Sequence, residues 1–205
     1  MRLVQSRVAL LSACVPIAVA IAACNQPPVA QAPPAAASAP AAAPAGDPVA
    51  RGQILVTVGG CHDCHTPKKL TPTGPVPDLD RALSGHPQDI VITAPYQPAK
   101  GSPWTTGTND TLTAWSGAWG ISFAANLTPD KETGLGMTER NFVIALKTGA
   151  HLGTARPILP PMPWEWYSKL PEDDLKAIYA YLLSIKPIKN QVPQPIPPAT
   201  PPAAK

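Results

Sequence analysis

Cys61-His62-Asp63-Cys64-His65 gathers two thiols and two imidazoles within five residues of a 205-residue chain. Of the four cysteines, Cys14 and Cys24 belong to an apolar N-terminal stretch, so Cys61 and Cys64 form the only pair left to the rest of the chain. A CxxC pair can close a disulfide, serve as a thioredoxin-like redox couple, supply half a zinc site, or attach haem when a histidine follows. Zinc needs a second ligand pair at comparable spacing, and His86 and His151 stand alone. A thioredoxin-like couple belongs in a βαβ unit, whereas the flanks here read as helical and glycine-rich. Covalent haem attachment uses both thiols and the histidine that follows the second. Two thiols spaced by two residues lie on one helical turn, where they can add across two vinyl groups, and the following histidine sits beneath the ring with an imidazole nitrogen on iron.

A haem iron with protein ligands on both faces transfers electrons, whereas an open face invites ligand chemistry. Beyond Met1, the thioethers are Met137 and Met162. Met137 precedes Thr138, the expected N-cap of a helix, and reads as surface or packing. Met162 lies in Pro160-Pro161-Met162-Pro163, where fixed φ angles stiffen the loop and lower the ordering cost of presenting a sulfur. The spacing therefore favours His65 and Met162 as axial ligands, with His151 as the competing second ligand. His86, in Ser84-Gly85-His86-Pro87, reads as a turn residue, and His62 points away from the ring if His65 points toward it.

These residues need helices to position them. Asp47-Pro48 opens a first helix with a cap and an N1 proline, and Gly59-Gly60 ends it just before the motif. Val49, Ile54, Leu55 and Val58 are expected to form its apolar side, with Gly52 allowing another helix to approach. A second helix runs from Thr138 through Leu146 to Gly149. A last one starts at Pro171, carries Glu172, Asp173 and Asp174 in its first turn, and turns Leu175, Ile178, Tyr179, Leu182 and Leu183 to the core. Between Thr66 and Trp115 turn residues are dense; a short strand over 89–93 and a hairpin covering a haem edge are expected there. Trp104, Trp115, Trp119, Trp164 and Trp166 read as packing, an indole or Arg156 being able to hold a propionate.

Twenty-nine prolines divide the chain. Seven fall between Pro27 and Pro48 and seven between Pro187 and Pro202, among residues too small or polar to offset the entropy of ordering. Residues 1–23 read as an export signal: Arg2 and Arg7 precede 16 residues, Val8–Ala23, too short and proline-broken for a membrane span. They end Ile21-Ala22-Ala23-Cys24, which resembles the lipobox of bacterial lipoproteins and implies acylation of Cys24, a lipid anchor and periplasmic localisation. Plain cleavage or an uncleaved anchor are the alternatives. Residues 24–47 then form a tether, 48–186 the domain and 187–205 a disordered tail. Lys and Arg number 16 against 13 Asp and Glu, with no basic stripe interleaved with aromatics, so nucleic acid is not an expected partner.

The chain as a whole resembles a bacterial monohaem c-type cytochrome. The resemblance is carried by Arg51-Gly52-x-x-Leu55, the CxxCH motif, Asn126-Leu127-Thr128-Pro129-Asp130-x-x-Thr133-Gly134-Leu135-Gly136, Pro161-Met162-Pro163-Trp164 and Asp174-Leu175-x-Ala177-Ile178-Tyr179-Ala180-Tyr181-Leu182. The last three are similar to cytochrome subunits of periplasmic dehydrogenases. It implies an all-α fold, a small cytochrome c-like helical domain around one covalent haem with an irregular insertion and disordered ends, whose first and last helices cross. Cys61 and Cys64 would be its thioether sites and His65 and Met162 its iron ligands. The implied function is non-enzymatic one-electron transfer between a dehydrogenase donor and an oxidase or cytochrome acceptor, steered by surface lysines such as Lys68, Lys69 and Lys100. A dedicated dehydrogenase subunit and a haem-based sensor are the alternatives.

Overall fold

The computed structural model describes residues 46–198. The export segment, Cys24 and the tether up to residue 45 lie outside them. No helix among the described residues is long and apolar enough to cross a membrane.

Helix α1 (Pro48–Val58) starts as its sequence dictates, with Asp47 Oδ1 accepting from the Val49 N–H at 2.9 Å and Pro48 occupying the first turn. It ends at Gly59, and Gly60, with φ 68°, turns the chain into the five-residue α2 (Cys61–His65). Helix α3 (Glu139–Thr148) is capped by Thr138 and stopped by Gly149 at φ 71°. The short α4 (Trp164–Tyr167) precedes α5 (Glu172–Ser184).

Helices α1 and α5 cross as expected, and the contact explains which face of α1 is buried. A Cβ on Gly52 would sit 1.9 Å from the Ala177 carbonyl oxygen, so only glycine permits this approach. The buried stripe is therefore Gly52, Leu55 and Val56, leaving Ile54 55% and Val58 76% exposed, where both were expected inside. At the same crossing the Arg51 guanidinium donates twice to Asp174, each bond 2.9 Å. Asp174 thus ties two helices together, a role beyond complementing a helix dipole. The core joins Leu55 and Val56 to Leu83, Leu135, Phe142, Val143, Leu146, Leu175, Ile178 and Leu182. On α5, Leu183 turns outward while Tyr179 half-buries against Phe142.

The expected all-α fold is wrong. Between α2 and α3 the chain forms two antiparallel sheets: a hairpin of β1 (Lys68–Thr71) and β2 (Gly74–Pro77), then a meander of β3 (Gly107–Thr108), β4 (Ala114–Gly117) and β5 (Gly120–Phe123). The pairing runs Lys68 opposite Pro77 in the hairpin and Ala114 opposite Phe123 in the meander. None of these strands shows an alternating large-apolar pattern. The buried face of β4 is Ala114 and Ser116, and β2 contains Pro75 and Pro77, which only an edge strand tolerates. The strand expected over 89–93 does not form.

Residues 187–198 also depart from expectation. They form an ordered strap rather than the start of a disordered tail. Ile196 exchanges backbone hydrogen bonds with Ile121, at 2.7 and 3.0 Å. Asn190, buried, donates from Nδ2 to the Ser84 and His86 carbonyls and accepts the Gln88 N–H at Oδ1. Polar saturation of the backbone holds this segment where apolar bulk is lacking.

Candidate cofactor site

Helix α2 presents Cys61, Cys64 and His65 on a single short coil entered through the left-handed Gly60, where a Cβ would meet the Asp63 carboxylate at 2.8 Å. Both thiols are free and half-buried. Burial pushes the Cys61 thiol up to about 11, and the Cys64 thiol moves in the same direction for the same reason. Reactive dithiols work through a depressed thiol pKa. Burial disfavours the thiolate at both positions, the opposite direction to that of a redox couple. Among the described residues no three His, Cys, Asp or Glu side chains converge on a metal position, so the zinc reading gains no further ligands.

The His65 ring is oriented by a residue sixty positions away. Nδ1 donates to the Ala125 carbonyl at 2.8 Å. A carbonyl oxygen can only accept, so the proton is on Nδ1 and the lone pair is left on Nε2. Burial lowers the proton affinity of the ring, keeping it neutral. The donor set, two free thiols one turn apart beside a neutral imidazole with a fixed tautomer, fits covalent haem with His65 as a ligand.

The Ala125 carbonyl is itself fixed from both sides. Ala124 O accepts the His86 N–H at 2.9 Å, and Asn126 Nδ2 donates to Ile188 O of the strap at 2.8 Å. His86 lies at a bend, as a turn residue would, but is fully buried, with Nε2 donating to Ile90 O and Nδ1 accepting from Thr113 Oγ1, both at 2.9 Å. With both nitrogens engaged it is not a ligand. His62 takes a different partner from His65: its Nδ1 pairs with Thr66 Oγ1 at 2.9 Å, and the same buried oxygen accepts the Leu83 N–H.

Met162 is half-buried and packs against the same apolar cluster as Cys61. Its loop is seated by Ser122, whose hydroxyl donates to Pro160 O, and by the Trp164 ring, which lies so close to Gly149 that a Cβ there would be 2.4 Å away. Tyr167, at the end of α4, donates its hydroxyl to the Gly59 carbonyl and so ties the Met162 segment to the entry of the motif. Burial pushes that phenol up to about 12, which keeps it a donor. Met137 also contacts the cluster, but its carbonyl is held by the Tyr179 hydroxyl of α5 at 2.9 Å. His151 lies in a 3-10 turn, His151–Gly153, after α3, its proton affinity lowered by burial. Trp104 and Trp166 are exposed, against the expectation that they pack.

Sequence reasoning missed the Ala125 carbonyl, Tyr167 and the strap. A backbone carbonyl has no sequence signature, and Tyr167 follows the proline loop without any spacing that marks it. Lys68 was misplaced: expected at the surface, it is buried.

No protein-family model matches the chain. It is 35% identical over 89 residues to the fructose dehydrogenase cytochrome subunit of Gluconobacter japonicus, a stretch covering 40% of this chain and 18% of that one. It is 35% identical over 74 residues to the cytochrome c subunit of the quinone alcohol dehydrogenase of Gluconobacter oxydans, covering 35% and 15%. A third similarity, 32% over 76 residues, is to one of the subunits of the nicotinate dehydrogenase of Pseudomonas putida, covering 37% and 6%. The chain therefore spans less than a fifth of the length of each of these relatives. Over the matched stretches it is related to cytochrome subunits of dehydrogenases.

Proposed function

We propose that this chain is a one-electron carrier holding a single covalent haem c, with Cys61 and Cys64 as thioether sites and His65 and Met162 as the iron ligands. The observation that carries the reading is the His65 Nδ1–Ala125 carbonyl bond beside two half-buried cysteines, Cys61 and Cys64, on one helical turn. The bound haem supplies an iron that cycles between ferric and ferrous states. The chain's own contribution is to keep the imidazole neutral and aimed, and to exclude water from the Cys61 side with Leu55, Val56 and Tyr167. Two packed protein ligands leave little to reorganise between oxidation states. Met162 is preferred over Met137 because Tyr167 links its segment to the motif.

Acylation at Cys24 and a tether over 25–47 would hold the domain at a bacterial membrane from the periplasmic side. The relatives favour a more specific second reading, a cytochrome subunit of a membrane-associated dehydrogenase that relays electrons onward. A stable stoichiometric dehydrogenase that co-purifies supports it; a monomer that exchanges electrons with several partners supports the mobile carrier.

The ligand set is tested by the weak iron–sulfur charge-transfer band in the red spectrum of the oxidised protein. It is expected in the parent and in Met137→Leu and lost in Met162→Ala. Persistence in Met162→Ala would overturn the assignment, and rapid carbon monoxide binding by the parent would point to a five-coordinate sensor instead. Labelling with a palmitate analogue, absent in Cys24→Ala, tests the anchor.

A further inference from the structure

Lys68 begins β1, and its backbone N–H is pinned to Thr111 O at 3.0 Å. Its side chain folds back beneath α2. Nζ donates to His62 O at 2.7 Å, Asp63 O at 3.0 Å and Thr66 O at 2.7 Å, so all three ammonium protons are used on carbonyls at the end of the motif helix. The residue is 9% exposed, and among the described residues no carboxylate pairs with it. Its neighbour Lys69 behaves ordinarily, reaching Asp78 at 2.8 Å from an exposed position. A buried charge without a counter-ion is costly, and a neutral donor could satisfy a helix C-terminus. A charge fixed there is bonded to the carbonyls of His62 and Thr66, the second of which directly follows His65 in the chain.

We propose that Lys68 is an electrostatic positioning residue for the iron site, its fixed ammonium at the end of α2 favouring the reduced state and raising the midpoint potential. Resting on the haem reading above, the inference adds a sign and a residue to it. Loss of an electron adds one positive charge beside His65, and a neighbouring positive charge in a poorly screened position opposes that loss. The carbonyls fix the ammonium in place and only partly offset it, since they are dipoles and not anions.

Mediated redox titration of the haem-loaded protein tests it, with dithionite and ferricyanide as reductant and oxidant. Lys68→Gln and Lys68→Met should each move the oxidised-to-reduced ratio at a fixed applied potential about tenfold toward the oxidised form, a midpoint ~59 mV lower. Lys68→Arg, which keeps the charge, should stay within about threefold of the parent. A purely structural role lowers the melting temperature of Gln and Met variants and leaves all potentials at the parent value, which overturns the proposal. Should both neutral variants fail to load haem, Lys68→His decides: between pH 5 and pH 8, as the imidazolium loses its charge, its oxidised-to-reduced ratio should move several-fold further toward the oxidised form than the parent's, and a pH dependence equal to the parent's contradicts the proposal. A parent protein without covalent haem would sink the cytochrome reading itself, whereas haem-loaded variants of unchanged potential sink only the role of Lys68.

Discussion

The segment around His65 and the segment around Met162 are held by different forces. Near His65 the fixing contacts are hydrogen bonds that reach far along the chain: Ala125 to His65, the strap to Asn126, Thr66 to His62 and Leu83. Near Met162 hydrogen bonds from Ser122 and Tyr167 contribute at the flanks, but the loop itself is stiffened by Pro160, Pro161 and Pro163, seated by Trp164 on Gly149 and packed on the apolar core. Hydrogen-bonded networks fix direction, because a donor and acceptor tolerate little angular error. Prolines and apolar contacts restrict position more cheaply and leave orientation softer. Under the proposed ligation, an imidazole that presents one nitrogen needs the first, while a flexible thioether with several rotamers manages with the second.

That contrast should appear as unequal sensitivity. The largest effect is expected for Asn190→Ala, which strips partners from the Ser84 and His86 carbonyls and the Gln88 N–H. At about 1 kcal/mol or more for each buried group left unsatisfied, the loss should be about 3 kcal/mol in chemical denaturation. A loss below about 1 kcal/mol would mean that the strap is not a structural member. Thr66→Val, nearly the same shape without the hydroxyl, should cost roughly 1–2 kcal/mol by orphaning the Leu83 N–H and the His62 ring nitrogen.

The polar side should also be the acid-sensitive one. Burial lowers the proton affinity of fully enclosed His86, so its folded pKa lies below the ordinary histidine value of ~6.5. The unfolded chain then binds the proton first. The contribution of His86 is complete above that value and is lost as pH falls below it. Thermal melts between pH 7 and 5 should show stability declining with a slope of at most about 1.4 kcal/mol per pH unit from this group. His86→Gln should flatten the slope; an unchanged slope would exclude His86 as its source. Smallest is Pro163→Ala on the Met162 side, expected to lose only about 0.4–1 kcal/mol through unfolded-state entropy, while weakening the red charge-transfer band out of proportion. Equal loss of stability from Asn190→Ala and Pro163→Ala would erase the distinction between the two sides.

What was legible in the sequence follows the same division. Helices α1, α3 and α5 announced themselves through Asp47-Pro48, Thr138, Gly149 and Pro171, because caps and stops are local chemistry. The crossing at Gly52 was legible because a glycine in an otherwise helical run marks close approach. The sheets were not. Apart from Ile121 and Lys68 their buried residues are Gly120, Ala114, Ser116 and Ser122, small enough that no alternation shows, and their pairing is set by turns at Gly74 and Gly120 and by the strap. Likewise Cys61, Cys64 and His65 were evident as a set, whereas what orients them depends on a backbone carbonyl at Ala125 and on an asparagine far downstream, and contacts of long sequence separation leave no periodic mark. Lys68 was misread for a related reason: lysine is so commonly solvated that only its three carbonyl partners reveal a buried one.

The proposed attachment of haem at Cys61 and Cys64 adds a fixed mass to the chain. Intact-mass measurement after acid–acetone extraction, on protein exported by a bacterial host able to attach haem c, examines it without intermediaries. The expected result is a polypeptide heavier by one haem that keeps its absorbance through extraction, with that mass absent when Cys61 and Cys64 are both replaced by alanine. Haem that extracts completely, or a parent chain at its bare polypeptide mass, would contradict it.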